Sequence, residues 1–253
     1  MKATAPITTA VIMAAGLGTR FGKYTEAIPK GFIEAGGKPM VIRSIKTLLS
    51  CGIQRILIGT GYKKEAYEAL KTRYPQIECV FSPRYSETNS MFTLYNMRQA
   101  IGGDNFLLLE SDLVFERKAI SSLLECEYSS AMLITPVTKF QDQYYVEMDS
   151  DGNLAACSTD KTELTPSGEL VGIHKIDTSF YQAMCRDYST KLATHPKLGY
   201  EYELLAVSQT ILPLPVLKVP DLLWYEIDDS SDLEYAEAHI VSKIDTHAAP
   251  CRH

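Results

Sequence analysis

Apolar residues recur along the chain in two alternating textures. Short runs of β-branched and aliphatic residues stand at 8–14, 55–59, 78–81, 105–110 and 130–135. Their length and composition read as buried strands. Between them lie longer stretches with helical spacing. In GGKPMVIRSIKTLLSCG, Val41, Ile42, Ile45, Leu48 and Leu49 fall on one face, Pro39 suits the first turn and Gly52 stops it. Residues 63–73, 90–101 and 117–126 read as further helices. The repeated β-α-β order predicts the α/β class: a Rossmann-like, mostly parallel mixed sheet with helices on both faces. After Pro136 the texture changes. Runs at 144–148 and 153–157 flank Asp151-Gly152, a hairpin signal, and 169–173 is a candidate third strand. Residues 177–192 read as a helix, 212–220 as irregular and 222–227 as a strand; a capping box from Ser231 to Glu234 opens a last helix through Ile244. The expectation is one domain over 1–245, with a small β-rich insertion at 137–220 that holds the second substrate. Residues 246–253 read as a tail or a linker, so a fused or partner domain beyond them stays open.

Composition narrows the partners. The 253 residues suffice for one large α/β domain or two small ones. With 45% hydrophobic and 22% charged residues, long disorder is not expected. A net charge of −6 without a Lys/Arg cluster argues against nucleic acid and for a small-molecule substrate. Cys51, Cys79, Cys126, Cys157, Cys185 and Cys251 form no CxxC pair and no zinc-spaced cluster, which fits free thiols in a reducing compartment. The N-terminus lacks the apolar core and cleavage site of a signal peptide. No run reaches the ~20 apolar residues of a membrane span. The cytoplasm is the expected location.

The first loop, AAGLGTRFGKYTEAIPKGF at 14–32, carries the chemistry. A Walker loop is excluded because five residues separate Gly16 from Gly22 and Tyr24 follows Lys23. A dinucleotide fingerprint needs glycine where Phe21 stands. A triphosphate cradle fits. Gly16 and Gly18 let the backbone of Ala14, Ala15, Gly16, Leu17, Gly18 and Thr19 approach closely and aim N–H groups at phosphate. Arg20 adds a planar charged fork. Lys30, behind Pro29, adds a point charge where the reacting phosphoryl group gains charge.

This loop, AAGLGTR…PKG, resembles the signature of the sugar-nucleotidyltransferase-like superfamily, which implies a nucleotide-diphospho-sugar transferase-like fold and release of pyrophosphate from an activated nucleoside triphosphate. Pyrophosphate displacement calls for Mg²⁺, which prefers a few carboxylates and several waters. Asp112 follows the strand NFLLLES, at the end where ligands bind in such sheets. Glu226 and Asp228, two apart in WYEIDD, would share a face and complete the metal site, with Asp229 as the alternative register for Asp228. The resemblance implies the same three regions.

Glu87, Thr88, Asn89 and Ser90 lie between a strand and a helix, with donors and acceptors for a base edge and ribose, or for a helix cap. The run ETNSMFTLYNM, with LLLESD and YEIDDSSDL, resembles the cytidylyltransferases that activate phosphocholine or 2-aminoethylphosphonate. The resemblance implies CTP as nucleotide and a small amino-alkyl acid as acceptor. Tyr144, Tyr145, Tyr200, Glu201 and Glu203 are the candidate acceptor contacts. A quaternary ammonium favours an aromatic cage and a primary one favours carboxylates. Tyrosines beside carboxylates, and one tryptophan, Trp224, favour aminoethylphosphonate over phosphocholine. A sugar-1-phosphate nucleotidyltransferase and a non-catalytic nucleotide-binding module are the rivals. The absence of GxSxG removes a serine hydrolase of that type.

Overall fold

The computed structural model describes residues 6–22, 24–138 and 143–247. Its strands are β1 (Thr9–Ala14), β2 (Arg55–Thr60), β3 (Ile77–Phe81), β4 (Phe106–Glu110), β5 (Leu113–Phe115), β6 (Ala131–Thr135), β7 (Tyr145–Met148), β8 (Leu154–Ser158), β9 (Gly168–Ile176), β10 (Val216–Lys218) and β11 (Trp224–Glu226). The main sheet runs β10-β6-β9-β4-β1-β2-β3. β1 pairs in parallel with β2 and β4, β2 with β3, and β10 with β6. All six residues of β1 are buried because both faces of the sheet are covered. Val11 and Met13 join the core on one face, and Ala10, Ile12 and Ala14 join the core on the other. This is the expected α/β architecture.

The chain leaves β1 toward β2 on one side, while β4 returns on the other. The loops after β1 and β4 therefore diverge at their carboxyl ends and leave a crevice. That switch point positions the site.

Four elements differ from expectation. β9 is nine residues long and lies antiparallel between β4 and β6, inside the main sheet, so the segment expected to form an insertion supplies a central strand. β7 and β8 form the expected hairpin and extend from β9. Tyr200–Thr210 is a helix that the pattern did not announce, because Glu201 and Glu203 are buried where an apolar stripe would be expected. The run at 212–220, read as irregular, contains edge strand β10. The last helix begins at Ser230 and is capped by Asp229, not Ser231; a π-helical turn, Glu237–Val241, precedes its final segment, Ser242–His247. Residues 248–253 of the expected tail lie outside the described residues.

Candidate active site

The loop after β1 is shaped by its glycines and anchored by Phe21. Gly18 has φ +64°, and a Cβ there would stand 3.0 Å from Thr25 Cγ2 and 3.1 Å from Lys30 Cβ. Only glycine meets both demands. Thr25 Oγ1 donates to the Gly18 carbonyl at 3.0 Å, and Phe21 is buried among Ile33, Met40 and Ile227. Ala14, Ala15, Gly16, Leu17, Gly18, Thr19 and Arg20 then line one wall of a cleft of about 450 Å³.

Lys30 crosses the floor of that cleft. It opens a single 3₁₀ turn behind Pro29, whose ψ is 155°. Its Nζ donates to Asp112 Oδ2 and to Asp228 Oδ1, both at 2.5 Å. Gly31 makes this approach possible: a Cβ there would lie 2.9 Å from the hydroxyl of buried Tyr67 and 3.2 Å from the Ser111 carbonyl. Burial alone would lower the Lys30 pKa, but Asp112 and Asp228 together hold it above its ordinary value. The group is therefore a fixed cation and not a base. Arg20 donates to the same Asp228 oxygen at 2.7 Å, and its side chain stays 57% exposed.

The carboxylates come from two short strands. β5 pairs antiparallel with β11, and Glu226 stands opposite Leu113. Ile227 N–H donates to the Asp112 carbonyl at 3.0 Å. This brings Asp112 and Glu226 together, with Glu110 as a third member: carboxylate oxygens of the three lie within 4.8 Å of one another. Glu110 was missed by the sequence reading, although it stands two residues before Asp112 at the end of β4. The same-face argument applied to Glu226 and Asp228 would have found it. Asp228 is not brought into this cluster. The strand ends at Glu226, and Asp228 turns onto Lys30 and Arg20, with its own N–H donating to Asp232 Oδ2 at 2.9 Å. Asp229 caps the last helix, accepting from the N–H groups of Ser231 and Asp232. Of the two, Asp228 lines the cleft and Asp229 does not, and neither belongs to the carboxylate cluster.

The wall opposite the glycine loop is the start of the helix Ser90–Asn96. Thr88, Asn89 and Ser90 line the cleft, along with Tyr85, Ser86 and Lys197, which sequence reasoning had not singled out. Asn89 accepts from Ser90 N–H at 2.8 Å as the helix cap, and its Nδ2 donates to the Lys197 carbonyl at 3.3 Å. Asn89 is therefore both the helix cap and part of the cleft wall. Glu87 does not line the cleft; it pairs with Arg84 on the surface.

The acceptor candidates separate. Tyr200 lines the cleft, and its hydroxyl donates to Glu110 Oε1 at 2.5 Å. Glu201 is buried close to Glu110, and burial pushes its carboxyl up to about 7. Tyr144 packs edge-on against Tyr202, with ring centroids 5.6 Å apart. Tyr145 is buried in β7 and does not reach the cleft. Glu203 is fully buried and accepts from Lys191 Nζ at 3.1 Å, so it ties two helices together and does not line the cleft. Spacing placed these residues together; the helical period from Tyr200 onward sends Glu203 elsewhere.

Residues 10–206 match the family model described as the MobA-like NTP transferase domain. The chain belongs to this family. Among curated proteins, this transferase domain is 36% identical over 113 residues to a 2-aminoethylphosphonate cytidylyltransferase of Lancefieldella rimae, covering 45% of the chain and 46% of that protein. It is 36% identical over 104 residues to a choline-phosphate cytidylyltransferase of Streptococcus pneumoniae, covering 39% and 45%. A third relative, the CMP-5'-(3-aminopropyl)phosphonate synthase of Streptomyces rubellomurinus, is 26% identical across 90% of the chain and 38% of that protein. The chain thus spans less than half the length of these curated relatives. Among solved structures, the inositol-1-phosphate CTP transferase from T. maritima shares the fold, with a TM-score of 0.80, 18% identity and coverage of 97% of this chain and 99% of that one. The chain carries a nucleotidyltransferase domain, as the first loop implied. Among the described residues, no helix is long and apolar enough to cross a membrane.

The site of this transferase domain fits a hard divalent cation. Asp112 Oδ1 is buried without a hydrogen-bond partner. Burial, then Glu226 and Asp112, push the Glu110 carboxyl well above the usual carboxylate range. A bound cation would offset both costs, and an all-oxygen donor set suits Mg²⁺.

Proposed function

We propose that this domain is a CTP-dependent cytidylyltransferase that converts 2-aminoethylphosphonate to its CMP ester and releases pyrophosphate. One observation carries the reading: the glycine loop, the Lys30 ammonium and the carboxylates of Glu110 and Asp112 line one cleft, and Glu226 converges on those two carboxylates. An acceptor phosphonate oxygen attacks the α-phosphorus of CTP. The new P–O bond forms as the bond to the β-phosphate oxygen breaks, and its electron pair leaves with pyrophosphate. The nucleophile is already anionic, so no general base is needed, and catalysis is positioning plus charge neutralisation. Lys30, held protonated by its two aspartates, stabilises the charge that develops on the α-phosphoryl oxygens. Arg20 presents its exposed fork, with the loop N–H groups, to the leaving pyrophosphate. Thr88, Asn89 and Ser90 face the nucleoside. Mg²⁺ on Glu110, Asp112 and Glu226, with Asp228 adjacent, would supply neutralisation of the triphosphate oxygens.

The aminophosphonate preference has support beyond the relatives' names. Trp224 is 7% exposed, and its Nε1 donates to Thr135 Oγ1 at 3.1 Å. It belongs to the core and is not available for the aromatic cage that a quaternary ammonium favours. Glu201, with Tyr144 and Tyr202 beside it, is buried near Glu110 and is not among the cleft-lining residues, so the preference rests on the place of Trp224 in the core. Phosphocholine is the second reading because a choline-phosphate enzyme matches as well. The test is pyrophosphate release from CTP and Mg²⁺ with the two acceptors in parallel. Faster turnover of aminoethylphosphonate is expected. Equal rates overturn the acceptor assignment, and no release with either overturns the activity.

A further inference from the structure

We infer that Tyr200 is a positioning residue: its hydroxyl fixes Glu110 as the third carboxylate of the cation site. The inference rests on the cation-dependent reading above. Tyr200 is 0% exposed, and its hydroxyl is committed to Glu110 Oε1 at 2.5 Å. It is therefore not free to bind an acceptor. Behind it stands fully buried His174, with Nε2 3.5 Å from that hydroxyl and the two rings edge-on at 5.6 Å. The Tyr200 ring is thus packed edge-on against His174 while its hydroxyl reaches Glu110.

The other side of the Glu110 carboxyl is shaped by an absence. Gly172 lies in β9, where the register against β6 shifts, and has φ +74°. A Cβ there would stand 3.2 Å from Glu110 Cδ and 3.3 Å from Oε2. Glu110 thus occupies space that any side chain at 172 would compete for. Tyr200 holds one oxygen, the bare backbone at Gly172 leaves room for the other, and the buried Glu201 carboxyl also shares a hydrogen bond with Glu110, so the carboxyl is held beside Asp112 and Glu226. A hydrogen bond to one oxygen of a ligating carboxylate orients it and tunes it as a ligand. Tyr200 also couples the two halves of the cleft, because its backbone N–H donates to Ser90 Oγ at 2.9 Å. The nucleoside wall and the cation site therefore share one anchor.

The test is Mn²⁺ binding to the chain, followed by electron paramagnetic resonance without nucleotide. It compares the unaltered chain, Tyr200→Phe, Glu110→Gln and the double variant. Phe fills the volume of the lost phenol, and metal-free melting curves check that each variant is folded. Each single variant is expected to bind Mn²⁺ about 10–100-fold more weakly. Because Tyr200 acts through Glu110, the double variant should be no weaker than Glu110→Gln. Unchanged binding in Tyr200→Phe overturns the inference, as does a double variant in which the two losses add. No Mn²⁺ binding in the unaltered chain overturns the cation site itself, and this inference with it. That outcome is distinct from a failure confined to Tyr200.

Discussion

Replacing Lys30 by Met keeps most of the side-chain volume and removes the charge. Two costs follow. The first is structural. Lys30 Nζ is the hydrogen-bond partner of Asp112 Oδ2, while Asp112 Oδ1 is already unpartnered. Asp228 keeps Arg20. Breaking a buried pair costs about 3–5 kcal/mol when one charge is left stranded. The Asp112 side chain is 16% exposed, which places this case toward the lower end. A domain with ordinary stability of about 5–15 kcal/mol tolerates that loss and stays folded at room temperature. The second cost is catalytic. Removing one preorganised charge from the reacting phosphoryl group costs about 10²–10³ in turnover, or about 2.7–4 kcal/mol of transition-state stabilisation. The assay is pyrophosphate release with kcat and KM resolved separately for CTP and acceptor, beside a melting curve. The expected result is a large fall in kcat with a lowered but cooperative melting transition. A folded Lys30→Met enzyme with kcat within about threefold of the unaltered chain, a difference of under about 0.7 kcal/mol, would refute the role.

Three further outcomes are expected. Gly31→Ala places a methyl 2.9 Å from the Tyr67 hydroxyl and 3.2 Å from the Ser111 carbonyl, so it should cost about 1–3 kcal/mol and lower turnover by displacing Lys30 from Asp112; unchanged melting and turnover contradict the packing argument. Asp229→Ala should lower stability by about 0.5–2 kcal/mol through loss of the helix cap while leaving Mn²⁺ binding intact, and a chain that loses Mn²⁺ makes Asp229 a ligand. Burial pushes His174 down to about 3 from an ordinary 6.5, so the fold favours its neutral form. The stabilising contribution is full above pH 6.5 and is lost as pH falls toward 3, at up to about 1.4 kcal/mol per pH unit. His174→Gln should flatten the acid limb in urea denaturation between those values, and an unchanged slope removes His174 as its source.

Much of the site was written locally. Gly18 and Lys30 were legible because backbone conformation and phosphate chemistry constrain residue type within one loop. Asp112 was legible because a strand end is marked by its own hydrophobic run. Glu110 escaped notice because it closes that run and looks like part of the strand, although its carboxyl faces the same cluster as Asp112. Tyr200 was noticed, but its task was not, since its partner Glu110 is 90 residues away. Glu203 looked like Glu201 in the sequence and was separated from it by the turn of a helix whose polar residues hid its period.

The sequence by itself determined most of the succession of strands and helices, the glycine loop after β1 and the residue types able to carry the chemistry. Periodicity, capping and glycine conformations act over a few residues and leave local marks. Only the tertiary structure decided which carboxylates meet. The β5–β11 register sets Glu226 beside Asp112, and the turn after β11 diverts Asp228 to Lys30. The placement of β9 between β4 and β6 puts Gly172 and His174 behind Glu110 and Tyr200. Those contacts join residues far apart in the chain, and their energy comes from burial and pairing that exist only once the sheet has closed.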